Sequence, residues 1–385
     1  MSRVFTIALV HGLLSLALVA AIPAADVLRG AGLVVRAARL HGGVEDRLAA
    51  LDAHPVHTED LTIPTRHGAI RARLYAPGAA WRRTVVLTPG VHAEGLDEPR
   101  LVGFARDLAT GGLGVVTIEL PDLLEYRITP RLPDQIEDVA AWLVPQRRFA
   151  ADRRVGLVGI SFAGGLSVVA AGRAQVRDHI AYVMAFGGHG DLQQTLRYLC
   201  TGVQADGRVR PPHDYGLVVV LLNLATSVVP PEQVAGLARG INLFMRASHI
   251  DMVDQARAAD VFAEAVALEP MLEEPARGLL HAVNTRDVAR LGSVLLPAVE
   301  RAALPAAVSP ASAPPPRAPV FLLHGADDNV VPAIESERLG ALLARQGVDV
   351  RVQVTPLITH AEVDRPPTVR EVWRLVRFWA AMLSR

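Results

Sequence analysis

The stretch Arg154–Gly172, RVGLVGISFAGGLSVVAAG, decides how the chain is read. Val155–Ile160 is a continuous apolar run of the kind shown by a strand buried on both faces, and the residues from Phe162 onward are small and apolar, as in a buried helix. Ser161 stands at the joint. A strand that passes into a helix through one residue must turn sharply, and only small neighbours fit such a turn without collision. Gly159 lies two residues before the serine, Ala163 takes the place where G-x-S-x-G has its second glycine, and Gly164 and Gly165 follow. The turn is either a structural corner or the mount of a nucleophile, and these residues alone do not choose between them.

Outward from this stretch the alternation recurs. Leu61–Pro77 and Arg82–Gly90 read as two or three strands separated by glycine and proline, and Glu98–Asp122 contains a helical face, a glycine stop and the β-branched run GVVTIEL. The helix Leu132–Val144, the strand Arg154–Ile160, the next helix and the strand Ile180–Gly188 continue the cycle. The expected fold class is therefore α/β, a mostly parallel central sheet with helices on both faces. The rhythm stops at Gly187. Residues 188–310 show mostly helical patterns and read as a helical insertion, in which Tyr215–Pro230 is a buried helix too short and too polar to span a bilayer. A proline-rich connector, 311–318, returns the chain to the sheet over 319–385. Residues 56–187 form the first part of the core, and 26–55 read as an amphipathic juxtamembrane linker.

Composition removes several chemistries. The basic side is arginine alone, so a P-loop lysine, a Schiff-base lysine and a Ser-Lys pair are all excluded. Formal net charge is zero and the arginines are scattered, which points away from nucleic acid. Cys200 is the single cysteine and reads as an inert thiol, leaving no intramolecular disulfide and no cysteine-built zinc site. The 13 histidines show no zinc-protease pairing, and no metal or other cofactor is expected. Val4–Ala25 is mostly apolar and has about the ~20 residues a membrane helix needs. It reads as a single-pass anchor that makes this a membrane protein. Val19 and Ala21 stand at the spacing a signal peptidase reads, so cleavage and export are the alternative. Arg29, Arg36, Arg39 and Arg47 follow the segment and only Arg3 precedes it, a bias that would hold the body on the cytoplasmic side.

A serine hydroxyl needs a base, an acid to orient the base, and donors for an oxyanion. HGADDNVVP places Asp327 and Asp328 just past the strand VFLL, and His360 follows the strand VRVQV. Each has a plain alternative, an Asx turn for the aspartates and a surface loop for the histidine. Serine, acid and histidine in this order, each past the C-terminal end of a strand, resemble the α/β-hydrolase family. The residues that carry the resemblance are GISFAG, HGADDNVVP, THAEV and the early glycine turn LTPGVHAEG, over roughly Leu61–Leu383 without the insertion.

The resemblance implies a triad of Ser161, Asp328 and His360. Asp328 is preferred to Asp327 because G-x-x-D-x-x-V-P maps onto Gly325–Pro332. It also implies oxyanion donors at the amides of Phe162 and Val91. The second is displaced toward His92 if the turn Thr88-Pro89-Gly90 replaces the family's His-Gly with a shift. His92 and His189 are candidate pocket residues, and Glu94, Arg100, Asp122 and Asp191 are polar neighbours in sequence. The function expected is hydrolysis of an ester-type acyl bond through an acyl-enzyme, with a small or lipid-like acyl substrate and the insertion as a cap. The competing readings are a tethered non-catalytic binding domain, and the same triad used as an acyltransferase or peptidase.

Overall fold

Strands buried on both faces need helices above and below, and the chain supplies them in alternation. The computed structural model describes residues 23–51, 53–78, 80–251, 253–302, 306–358 and 368–385. By its contacts the chain divides into a sheet-bearing unit, 1–124, 129–190 and 306–385, and a helical unit, 125–128 and 191–305.

Among the described residues, the sheet has eight strands: β1 Val56–Thr65, β2 Gly68–Pro77, β3 Thr84–Thr88, β4 Gly114–Ile118, β5 Val155–Ile160, β6 Ile180–Phe186, β7 Val320–Gly325 and β8 Val350–Thr355. Their order is β1-β2-β4-β3-β5-β6-β7-β8. β2 alone runs against its neighbours, paired antiparallel with β1 and β4, while the pairs from β4–β3 to β7–β8 are parallel. This is the α/β-hydrolase fold.

The apolar runs that marked the strands are the buried ones: every residue of β3, β4 and β7 is buried. The edge strand β1 is mostly exposed. The helices covering the sheet are α1 Ala24–Ala37, α2 Gly43–Ala50, α3 Pro99–Thr110, the short α4 Pro121–Leu124, α5 Arg131–Leu143, α6 Phe162–Ala171, then, past the helical unit, α13 Ile334–Arg345 and α14 Val369–Leu383.

The stretch 26–55 is not a linker. It folds as two helices, and Val27, Ala31, Leu33, Val34 and Val35 of α1 join the core cluster that holds Val376, Trp379 and Ala380 of α14. Gly30 is the contact point: a Cβ there would lie 2.7 Å from the Val376 carbonyl oxygen. An amphipathic pattern announces that one face will be covered but does not say by what, which is why a docked core helix reads as a linker.

The helical unit contains α7 Leu192–Thr201, α8 Asp214–Val228, α9 Pro231–Asp251, α10 Gln255–Ala267, α11 Ala276–Asn284 and α12 Val288–Arg301. Asp191 caps α7 by accepting from the amides of Gln193 and Gln194. The expected insertion, 188–310, compares with 191–305 observed, but the unit also takes in residues 125–128. Asn223 of α8 holds that excursion, donating from Nδ2 to the Tyr126 carbonyl at 2.8 Å and accepting at Oδ1 from the Ile128 amide at 2.9 Å. No helix among the described residues is long and apolar enough to cross a membrane. The apolar segment Val4–Ala25 lies outside the described residues up to position 22.

Candidate active site

β5 delivers Ser161 to the C-terminal edge of the sheet, and α6 begins at the next residue. The serine has φ 54° and ψ −134°, backbone space that a side chain occupies at a strain of about 1–3 kcal/mol. What holds it there is around it. Its amide donates to the Phe186 carbonyl at the end of β6, and its carbonyl accepts from the Gly164 amide. A Cβ on Gly159 would lie 2.2 Å from the Ala163 carbonyl oxygen and 2.5 Å from Ser167 Oγ, so only glycine fits beneath the turn. Ala163, where the second glycine of the motif would stand, is fully buried.

Gly90, past the end of β3, closes on the serine from the other side. A Cβ there would lie 3.2 Å from Ser161 Cβ and 3.8 Å from its Oγ. The backbone that carries Val91 therefore runs against the serine. Phe162 is the first residue of α6, so its amide is one of those that an α-helix leaves without an intrahelical acceptor. The Gly90 backbone and the first residue of α6 thus lie on either side of Ser161.

Asp328 follows β7 and is 2 % exposed, while Asp327 is exposed. Its Oδ1 accepts from the amides of Val330 at 2.8 Å and Val331 at 2.9 Å. The Asx turn is thus present, but it employs one oxygen only. Oδ2 faces His324 Nε2 at 3.4 Å, and a Cβ on Gly187, after β6, would come within 3.6 Å of it.

His324 has no part in the expected triad, yet it braces the acid's loop. It is fully buried within β7; its Nε2 lies 2.8 Å from the Val331 carbonyl, which can only accept, so Nε2 carries the proton and Nδ1 accepts from Ser336 Oγ at 2.7 Å. The imidazole ties the start of α13 and the loop 328–331 to the strand. A histidine inside the otherwise apolar VFLLHG was the available signal, because a buried imidazole must find partners.

His189 is fully buried, stacked on Phe162 with ring centroids 4.3 Å apart at 8°, and bonded from Nε2 to the Val308 carbonyl at 2.8 Å. It lies beneath the first turn of α6, where a Cβ on Gly165 would come within 2.4 Å of its ring. His92 is half-buried beyond Gly90; its Nδ1 accepts from the Glu94 amide, and burial holds its pKa below the usual 6.5. Glu94 and Arg100 are exposed, Arg100 being paired with Glu98. Asp122 accepts from Thr129 Oγ1 in a local turn. His360 falls outside the described residues.

In the helical unit, burial pushes the Cys200 thiol up to about 12, far from a thiolate nucleophile. Among the described residues no group of three or more His, Cys, Asp or Glu is arranged to hold a metal ion.

No protein-family model matches the sequence, and no curated protein matches it. Among solved structures, an esterase of Pyrobaculum calidifontis is similar at 17 % identity and TM-score 0.45, covering 92 % of this chain and 91 % of that one. The acylaminoacyl peptidase of Pyrococcus horikoshii is similar at 12 % identity and TM-score 0.48, covering 89 % of this chain but 43 % of the peptidase. A dienelactone hydrolase of Anabaena variabilis is similar at 14 % identity and TM-score 0.43, covering 86 % and 99 % of the two chains. The assignment of fold rests on the strand order and the direction of β2.

Proposed function

We propose that this chain is a serine hydrolase that cleaves an ester-type acyl bond, with Ser161 as nucleophile, His360 as general base and Asp328 as the acid that orients it. The observation that carries the reading is the Ser161 backbone, held at positive φ between β5 and α6 with the Gly90 backbone against its side chain. A purely structural corner gains nothing from a serine there, since glycine takes that conformation without strain. Strain over-determined by its surroundings is a mark of a working site.

In the proposed cycle His360 takes the Ser161 proton as Oγ attacks the carbonyl carbon. The amides of Phe162 and Val91 receive the oxyanion, and His360 returns the proton to the leaving alcohol. Water, deprotonated by the same base, then attacks the acyl-enzyme and releases the acid with Ser161 restored. Asp328 suits its part because it is a carboxylate fixed through one oxygen by backbone amides, with the other turned toward the neighbouring strand end. The Val4–Ala25 segment, as a membrane anchor, would keep this activity beside lipid-like acyl esters.

A fluorophosphonate probe tests the reading directly. Labelling of the folded wild type that disappears in Ser161→Ala is the expected result; equal labelling of both, or of neither, overturns it.

A further inference from the structure

The segment that carries Asp328 is fastened to a single residue of the strand it leaves. β7 lies between β6 and β8, and Val320, Phe321, Leu322 and Leu323 are buried as that place demands. His324 is buried as completely as they are. An aliphatic side chain would fill the same space with no polar atom to satisfy, whereas an imidazole needs a partner at each ring nitrogen. Both partners belong to the segment that follows. The Val331 carbonyl lies 2.8 Å from Nε2, and Ser336 Oγ, in the first turn of α13, lies 2.7 Å from Nδ1. The ring thus clips the far side of the acid's loop back onto the strand.

Val331 is consequently held on both sides: its amide donates to Asp328 Oδ1 at 2.9 Å, and its carbonyl accepts from His324. The direction of the carboxylate follows the placement of that backbone, and His324 sets the placement. The same N–H edge stands 3.4 Å from Asp328 Oδ2. That is too long for a charge-assisted hydrogen bond, but it turns the positive end of the N–H dipole toward the carboxylate. Ser336 decides which nitrogen carries the hydrogen, because its hydroxyl donates to Nδ1 and leaves Nε2 protonated. The reversed tautomer would set a lone pair against the Val331 carbonyl and Oδ2 together. Ser336 is fixed in its turn: the adjacent Glu335, also buried, accepts from the Gly190 amide at 3.0 Å.

We propose that His324 is a positioning residue for the reaction: it aims the Asp328 carboxylate at the general base through the Val331 peptide, with Ser336 selecting the tautomer that does so. The role rests on the hydrolase reading and deepens it. His324 takes no proton in the cycle. A triad acid works by holding its base in one orientation and one tautomer, so an acid free to turn loses that hold while keeping its charge. A ring locked in a central strand supplies the rigidity that a loop carboxylate lacks by itself.

The test is steady-state hydrolysis of p-nitrophenyl esters by the full chain in a non-ionic detergent, with thermal melts to establish that each variant is folded. His324→Leu should lower kcat by about 10–100-fold and leave KM within about threefold. His324→Gln, which keeps a donor and an acceptor at the end of its side chain, should return kcat to within about threefold of the wild type. Ser336→Ala should lower kcat by about threefold or more. In His324→Leu and Ser336→Ala the acid limb of kcat/KM, which reports the base in the free chain, should move down by about half a pH unit, because a misaimed carboxylate stabilises the imidazolium less. A loss carried by KM, equal losses in His324→Leu and His324→Gln, or an unmoved acid limb overturns the proposal. If His324→Leu does not fold, Ser336→Ala decides, and wild-type kcat with an unmoved limb in that variant overturns it. Ser161→Ala separates the two readings. Hydrolysis that survives in Ser161→Ala overturns the hydrolase reading and the positioning role with it; hydrolysis lost there but unchanged in His324→Leu overturns the positioning role alone.

Discussion

The two ends of the sheet use opposite chemistry. At the C-terminal end of the parallel strands, Ser161 sits against the backbone of Gly90 and opens α6, and Asp328 is held by the amides of Val330 and Val331. At the N-terminal end the polar groups are ion pairs, Arg82 with Asp26, Arg83 with Asp152 and Arg385 with Asp349. The difference follows from how a βαβ chain runs. Each strand hands over to a helix at its C-terminal end, so helix N-termini with their unmet N–H groups gather there. The helices finish near the other end, where their carbonyls favour cations; α3 ends at Thr110, and Arg385 follows α14. One edge suits a developing oxyanion. The other brings arginines together.

Perturbing either end separately would sharpen this contrast. The largest expected effect is at the serine: Ser161→Ala should lower ester hydrolysis by at least about 10³-fold, as measured on graded p-nitrophenyl esters. Asp328→Asn should lower kcat by about 10³-fold and Asp327→Asn by less than about twofold; equal losses would remove the distinction that burial draws between them. Ser161→Gly, compared with Ser161→Ala by chemical denaturation, should be more stable by about 1 kcal/mol, because only the glycine relieves the positive φ.

At the opposite end, Tyr182→Phe should leave hydrolysis unchanged and raise the stability of the chain by up to about 1 kcal/mol, since it deletes a buried donor that has no acceptor. The smallest effect concerns pH. His92 is held neutral by burial, with a folded pKa below the unfolded 6.5, so the unfolded chain takes up its proton first as pH falls. Stability should therefore decline from about pH 7 downward through the folded pKa, and His92→Gln should flatten that part of the curve seen in thermal melts.

How much was legible varied with the physical signal. The strands β3, β4, β5 and β7 were readable because burial on both faces demands unbroken apolar runs. The Ser161 turn was readable because Gly159 and Gly165 answer steric demands made within a few residues or by the adjoining strand end. The choice of Asp328 came from the motif, and its burial beside exposed Asp327 adds an independent reason. The docking of α1 on α14 was not readable, since its partner surface comes from more than 330 residues further along the chain. Nor were residues 125–128, too few to carry a pattern of their own, or the His189–Phe162 stack, which needs two strand ends to be neighbours.

By itself the sequence determined the alternating architecture, the sharp turn at Ser161 and the exclusion of lysine chemistry, because periodicity, small-residue spacing and composition are local properties of the chain. Only the tertiary structure decided that Gly90 backs the serine, that His324 braces the Asp328 loop and that Arg82, Arg83 and Arg385 meet Asp26, Asp152 and Asp349 at one end of the sheet. Those are meetings of residues far apart in the chain, and their positions depend on the order in which the strands lie side by side.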